Sequence, residues 1–197
     1  VQIAPGETLA GDPSDSVRFD AVHPLAFAPA PQGLDRDALL LMGAAMRSRQ
    51  TAGALETLLA MCVRYANDRI AFERPIAKFQ AVQHNLARLA DETAAAVAAA
   101  GSAADALAAA TTFDDGIMLE TIAAKVRCAE AAQEGAAIAH QVHGAIGFTQ
   151  EHVLHRFTLR MLGWRDDFGN ESHWAVVLGN LVAARGADAF WPLMASR

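Results

Sequence analysis

Very little of this chain is aromatic, basic or cysteine. Aromatic residues make up 7% of the 197, there is one tyrosine, and two cysteines, Cys62 and Cys128, are the whole thiol complement. Both cysteines fall inside helical patterns, so a disulfide-stapled framework is excluded as the organising principle and both read as free buried thiols of a reducing cytoplasm. The net charge is -6 with no basic run, which leaves no electrostatic footprint for nucleic acid. No apolar stretch approaches the roughly 20 residues of a membrane span. The opening VQIAPGETLAG has neither a charged n-region nor an apolar h-region and does not read as a signal peptide. What is abundant is small and apolar: 53% of the chain is hydrophobic, and alanine dominates that share. Alanine has the highest helix propensity and lets helices approach closely. The expectation is an all-α fold.

The order of patterns sharpens this. Val1–Ile3 and Ser16–Phe19 are short alternating runs separated by turn chemistry, and HPLAFAPAPQG follows as a Pro/Ala-rich connector. Two strands do not make a stable sheet alone, so residues 1–33 read as the tail of a β domain and 34–197 as a helical-bundle domain. Asp35 is the expected N-cap of a first helix with Leu39, Met42, Met46, Ala54, Leu58, Met61 and Tyr65 as its apolar stripe, ending near Asn67 or Asp68. A second helix is expected after Pro75, striped by Val82, Leu86, Leu89, Thr93 and Val97 and closed by Gly101. The Ala-rich segment beyond Gly101 could extend a neighbouring helix. A third helix runs from about Asp115 through Ile122, Val126 and Ile138 to Gly144. A short one follows near Glu151–Leu162, and a last one near Glu171–Arg185 turns Trp174, Val177, Leu178 and Leu181 inward. Long helices joined by short connections predict an antiparallel four-helix bundle.

Two stretches spend reactive side chains where plain turns would serve. The first, Tyr65–Gln83, carries Arg69, Phe72, Phe79 and Gln80 across the first connection. A guanidinium there can pair bidentately with phosphate or complement the negative end of a helix, and the two phenyl rings can form a flat wall or ordinary core. Arg74 and Lys78 read as solvated charges. The second, Gln141–Thr149, ends a helix in small residues, Gly144, Ala145 and Gly147, which let a ligand approach the backbone. His140, His143, His152 and His155 cluster here, but without the Glu-x-x-His pairing of a di-iron bundle, and no metal is assigned to them.

These stretches carry a resemblance. Tyr65, Ala66, Arg69, Phe72, Pro75, Phe79 and Gln80 match, in register, the Y-A-x-x-R-x-x-F-G-x-P-x-x-x-F/H-Q segment of the acyl-CoA dehydrogenase family, with Glu73 standing in place of the usual glycine. Gln141, Gly144, Gly147, Phe148, Glu151 and Arg156 are similar to its Q-x-x-G-G-x-G-[FY]-x-x-E-x-x-x-x-R, with Ala145 in place of the second glycine. The resemblance implies the C-terminal helical bundle of an FAD-dependent enzyme that dehydrogenates an acyl-CoA thioester between its α and β carbons. It implies that Arg69, Phe72, Phe79, Gln80, Gln141, Gly144 and Ala145 touch a neighbouring subunit's FAD. Self-association into dimers and tetramers, or pairing with a second acyl-CoA dehydrogenase subunit, goes with it, as does a longer parent chain that supplies the acyl-CoA pocket. The isolated domain is accordingly expected to hold FAD weakly or not at all.

The third family segment departs. Where the family has Y-E-G-T-N-E, whose Glu is the base, this chain has Asp167-Phe168-Gly169-Asn170-Glu171, and a phenyl ring cannot accept a proton. The family's other address for the base, on the first bundle helix, falls on Gly43. Asp166, Asp167 and Glu171 are nearby carboxylates, and the catalytic residue stays unassigned. The string WRDDFGNESHW is similar to members of bacterial sterol- and lipid-degrading clusters in which two unlike subunits share a site. A non-catalytic subunit that completes a partner's flavin site is therefore the alternative expectation.

Overall fold

In the computed structural model, which describes residues 1–30 and 33–195, the first elements are two exposed strands, β1 (Gln2–Ala4) and β2 (Ser16–Arg18). They pair antiparallel with Ile3 opposite Val17. Arg160 reaches back to Asp12 at 2.5 Å and ties this hairpin to the helices. Pro31 and Gln32 of the expected connector lie outside the described residues.

Helix α1 (Arg36–Asp68) starts where the Asp35 carboxylate accepts the Ala38 N–H at 2.9 Å, satisfying one of the free donors of the first turn. Its inner face is not the stripe of large residues expected from spacing. Leu39 and Met46 are 61% and 65% exposed and Met42 is also exposed, whereas Ala38, Leu41, Ala44, Ala45 and Ser48 are buried. Both sets recur every three to four residues, so period alone does not choose between them. The small set wins because it lets neighbouring helices close on α1. Farther along, Ala54 and Leu58 are buried as expected.

Helix α2 (Gln80–Ala109) passes through Gly101 without stopping. A single helical glycine costs only about 1 kcal/mol relative to alanine, and the alanines on either side, Ala100 and Ala103, are fully buried. The Ala-rich segment thus extends α2 by two turns. Helix α3 (Asp115–His143) is capped by Asp114, whose carboxylate accepts the Ile117 N–H at 2.9 Å. It lies against α1, α2, α4 (Leu154–Trp164) and α5 (Glu171–Arg185). The Tyr65 hydroxyl donates to the His143 carbonyl at 3.2 Å, so α1 and α3 end together and α2 runs opposite to both. Arg185 pairs with Asp115, so the end of α5 returns to the start of α3. The fourth side of the antiparallel bundle is α4 and α5 in series, followed by a short α6 (Phe190–Ala195).

The core falls into two clusters. One joins Leu55, Leu58, Leu89, Leu154 and Met161; the other joins Leu41, Ala44, Ile122 and Trp174 near the opposite end. Cys62 and Cys128 are free and buried in the first cluster, and burial pushes their thiols up to about 12 and about 11. No helix among the described residues is long and apolar enough to cross a membrane.

In the first cluster the helices close tightly at Gly135, where a Cβ would lie 2.6 Å from Leu55 Cδ2 and 3.3 Å from Leu89 Cδ1. Gly135→Val is expected to destabilise the domain by about 1–3 kcal/mol through overpacking, read as a lower urea midpoint at unchanged slope.

Candidate functional site

At the end of α1 the chain turns sharply. The Arg69 N–H bonds the Tyr65 carbonyl at 2.9 Å, and Arg69 itself is already extended. Strands β3 (Ile70–Ala71) and β4 (Arg74–Pro75) then form a hairpin with only Phe72 and Glu73 between them. Both are left-handed, with φ of +50° and +64°. This two-residue turn ordinarily takes Asn-Gly, and each side chain held there costs about 1–2 kcal/mol. The result is to present the Phe72 ring at the tip, 89% exposed. Phe79 lies edge-on to it at 6.1 Å, and the Arg74 guanidinium sits 4.3 Å from the Phe79 ring centre. Arg74 is thus a ring partner, not merely a solvated charge, and one face of Phe79 is already covered. The segment after Pro75 is a single tight turn, Ile76–Lys78, and α2 begins only at Gln80.

The end of α3 lies beside this hairpin through Tyr65. Besides its hydrogen bond to the His143 carbonyl, the Tyr65 ring stacks on the His143 ring at 4.4 Å. Gly144 has φ +65° with open space where a Cβ would stand; Gln141, Gly144 and Ala145 are exposed, and Gly147 is buried against Leu154. All seven residues singled out from sequence, Arg69, Phe72, Phe79, Gln80, Gln141, Gly144 and Ala145, therefore stand at one end of the bundle. Among the described residues, the side chains of Arg69, Gln80 and Gln141 make no hydrogen bond or ion pair. The same end holds unspent donors, an exposed ring and an open glycine, which is a donor set that fits a dinucleotide's phosphates and rings.

The histidines are internally employed. His143 donates from Nδ1 to the Ala139 carbonyl at 2.8 Å, which leaves Nε2 as its acceptor, and burial lowers its pKa. His140 Nε2 meets the Thr158 hydroxyl at 3.0 Å while its ring stacks on Phe148. His155 Nδ1 donates to the His152 carbonyl at 2.7 Å. The Tyr65–His143 stack was not visible in the sequence, because its members are 78 residues apart.

Toward the opposite end lies the turn between α4 and α5. Phe168 has φ +56° and its ring covers Gly43, where any Cβ would overlap it. The two positions at which the resemblance would place a base are therefore in direct contact, and the Phe168 ring excludes a carboxylate from position 43. The nearby carboxylates are engaged: Asp167 pairs with Arg47 at 2.8 Å, and Glu171 pairs with Arg165. Burial would raise the Glu171 carboxyl, but its own N–H and the Arg165 guanidinium outweigh that and hold it low, the wrong direction for a base. Beneath the turn, the buried Lys125 amine donates to the carbonyls of Trp164 and Asp167 at 2.7 and 2.8 Å. Sequence reasoning passed over Lys125, since a lysine within a helical pattern reads as exposed.

Comparison with known proteins follows the same lines. Residues 36–170 match the family model described as acyl-CoA dehydrogenase, C-terminal domain. Acyl-CoA dehydrogenase IpdE2 of Mycobacterium tuberculosis is 35% identical over 135 residues, covering 68% of this chain and 38% of that protein. A solved variant of the Tcur3481-Tcur3483 steroid ACAD superposes with a TM-score of 0.76 at 27% identity, over 94% of this chain and 49% of that one. The ChsE4-ChsE5 complex from Mycobacterium tuberculosis shares the fold, with a TM-score of 0.70 at 23% identity over 92% of this chain and 49% of its counterpart. The chain thus spans less than half the length of each of these relatives.

Glu73→Gly is expected to raise stability by about 0.5–1 kcal/mol, the relieved left-handed strain exceeding the added chain entropy, as measured by chemical denaturation. Gly43→Glu should destabilise by about 1–3 kcal/mol. Combined with Phe168→Ala it should cost less than the sum of the two single changes, with a coupling of about 0.5–3 kcal/mol in a double-mutant cycle; strict additivity would contradict the contact.

Proposed function

This chain belongs to the acyl-CoA dehydrogenase family as a C-terminal domain, and from that premise we propose that it supplies one end of its bundle to an FAD lodged between subunits. The observation that supports the reading is the gathering of Arg69, Gln80 and Gln141, all unpartnered, with exposed Phe72 and open Gly144 on one end. Arg69 would hold phosphate oxygens bidentately, and Gln80 and Gln141 would orient the adenine side. Gly144 and Ala145 would admit the dinucleotide close to the backbone, with Phe72 and Phe79 as apolar wall. Bound flavin would supply the hydride acceptor for α,β-dehydrogenation of an acyl-CoA thioester; this domain's own part is binding and positioning. Residues 1–33 are read as the tail of a middle β domain, and the reducing cytoplasm as the compartment suited to two unpaired thiols. The exposed apolar side chains Leu39, Met42 and Met46 suit an assembly contact with another copy or a second, unlike subunit.

A second reading is favoured by Phe168 lying on Gly43: the chain completes a partner's flavin site without abstracting a proton itself. Its one-sided chemistry agrees with engaged Asp167 and Glu171.

The test is full-length protein purified alone and together with any encoded second subunit, assayed for flavin content and acyl-CoA-dependent dye reduction. Activity alone supports the first reading; activity only with the partner supports the second; no flavin in either preparation overturns both. In whichever assembly holds flavin, Arg69→Ala is expected to weaken FAD retention by roughly tenfold to a hundredfold, as loss of a charged hydrogen bond worth about 1.5–3 kcal/mol implies. Equilibrium dialysis should find weak or no FAD binding to the 197-residue chain by itself.

A further inference from the structure

A cleft of about 490 Å³ opens between α1 and the start of α4, and none of the seven residues assigned to the flavin lines it. Its size lies within the roughly 300–1,000 Å³ of small-molecule sites. Its walls are apolar, with Met61 from α1 and Val153 and Phe157 from the α4 side. His143 also lines it and is 4% exposed. Three contacts fix the His143 ring: Nδ1 donates to the Ala139 carbonyl at 2.8 Å, Tyr65 stacks on it at 4.4 Å, and the His152 ring tilts against it at 4.9 Å. With Nδ1 turned back onto α3, Nε2 is the acceptor edge that meets the cleft. His152, on the same lining, is its complement. Its Nδ1 accepts the Leu154 N–H at 3.2 Å, so in the neutral ring the proton sits on Nε2 as a donor. Among the described residues neither Nε2 has a hydrogen-bond partner. Arg64 and Asp68 stand at the rim one helical turn apart; both are exposed, and among the described residues neither side chain makes a hydrogen bond or ion pair.

We propose that this cleft binds an adenine nucleotide. The base lies against Met61 and Phe157, its amine donates to His143 Nε2, and a ring nitrogen accepts from His152 Nε2. Arg64 takes the phosphate, as a guanidinium does bidentately, and Asp68 takes the ribose hydroxyls, the usual partner of a carboxylate beside a nucleotide. The order of groups selects the base. Adenine sets an amine donor beside a ring-nitrogen acceptor, whereas guanine and hypoxanthine put a carbonyl oxygen where the amine would be, and that oxygen would face the lone pair of His143. A purine also covers more of the apolar walls than a pyrimidine. Adenosine phosphate occurs as a free nucleotide and as the end of coenzyme A, and both present this chemistry. The site does not rest on the flavin assignment.

Full-length protein of measured flavin content is titrated with AMP in a calorimeter. Saturable binding of AMP is expected, with IMP weaker by roughly tenfold for the loss of a hydrogen bond and the clash of two acceptors. His143→Phe keeps a ring on Tyr65 and removes the acceptor; it should weaken AMP about threefold to tenfold and erase the preference over IMP. Should that variant fail to fold, His152→Phe removes the donor and should weaken AMP by a similar factor. Arg64→Gln should weaken AMP about tenfold or more and leave adenosine unchanged. Competition by free coenzyme A names its nucleotide end as the source of the ligand; AMP binding without that competition names the free nucleotide. Arg69→Ala acts on flavin and Arg64→Gln on AMP, so the two assignments fail separately. No AMP uptake, equal affinity for IMP, AMP affinity unmoved by the histidine and Arg64 variants, or uptake only after flavin is removed overturns the site.

Discussion

The whole arrangement depends on how closely α3 can be approached. Ala124, Ala131, Ala132 and Ala139 on α3 are fully buried, as are Ala96, Ala100 and Ala103 on the facing α2, and Gly135 receives the Leu55 and Leu89 side chains. Small residues at the contact lines let the backbones come together, and dispersion contacts then accumulate along their length. This also explains the paucity of aromatic residues: there is little space between the helices for rings to fill. Several of the rings that do occur are spent at the ends, with Tyr65 against His143 and Phe168 and Trp174 at the far turn, while Phe157 and Trp164 pack along the flank of the core.

Because the helices are held so tightly, their ends are held too. The α1–α2 hairpin and the end of α3 come from distant parts of the sequence, yet one hydroxyl–carbonyl bond and one ring stack fix them beside each other. The backbone at this end is already placed, while the unpartnered side chains of Arg69, Gln80 and Gln141 are still to be ordered by whatever meets them. At the other end the same rigidity works as exclusion, since a turn anchored by Arg47, Lys125 and Trp174 keeps a phenyl ring on α1.

Much of this was legible from residue order. The Asp35 cap, the five principal helices and the N-terminal hairpin follow from local chemistry, which the sequence carries directly; the second cap, Asp114, came only with the structure. The inner face of α1 was not legible, because Leu39, Met42 and Met46 repeat with the same period as the small residues that are buried instead. Gly101 misled for a related reason: local propensity is a weak signal when alanines continue on both sides. The bundle-end residues were visible as a motif, but their lack of partners was visible only in three dimensions. Lys125 and the Gly43–Phe168 contact were hidden altogether, since each joins segments that sequence spacing does not relate.

That last contact bears on the direction in which such a chain can change. A side chain placed at Gly43 meets the ring, and a carboxylate placed at Phe168 in the same geometry would lie on bare backbone. The constraint is one-sided: position 43 can take a larger residue only once position 168 has taken a smaller one, so of the two changes one opens the way for the other.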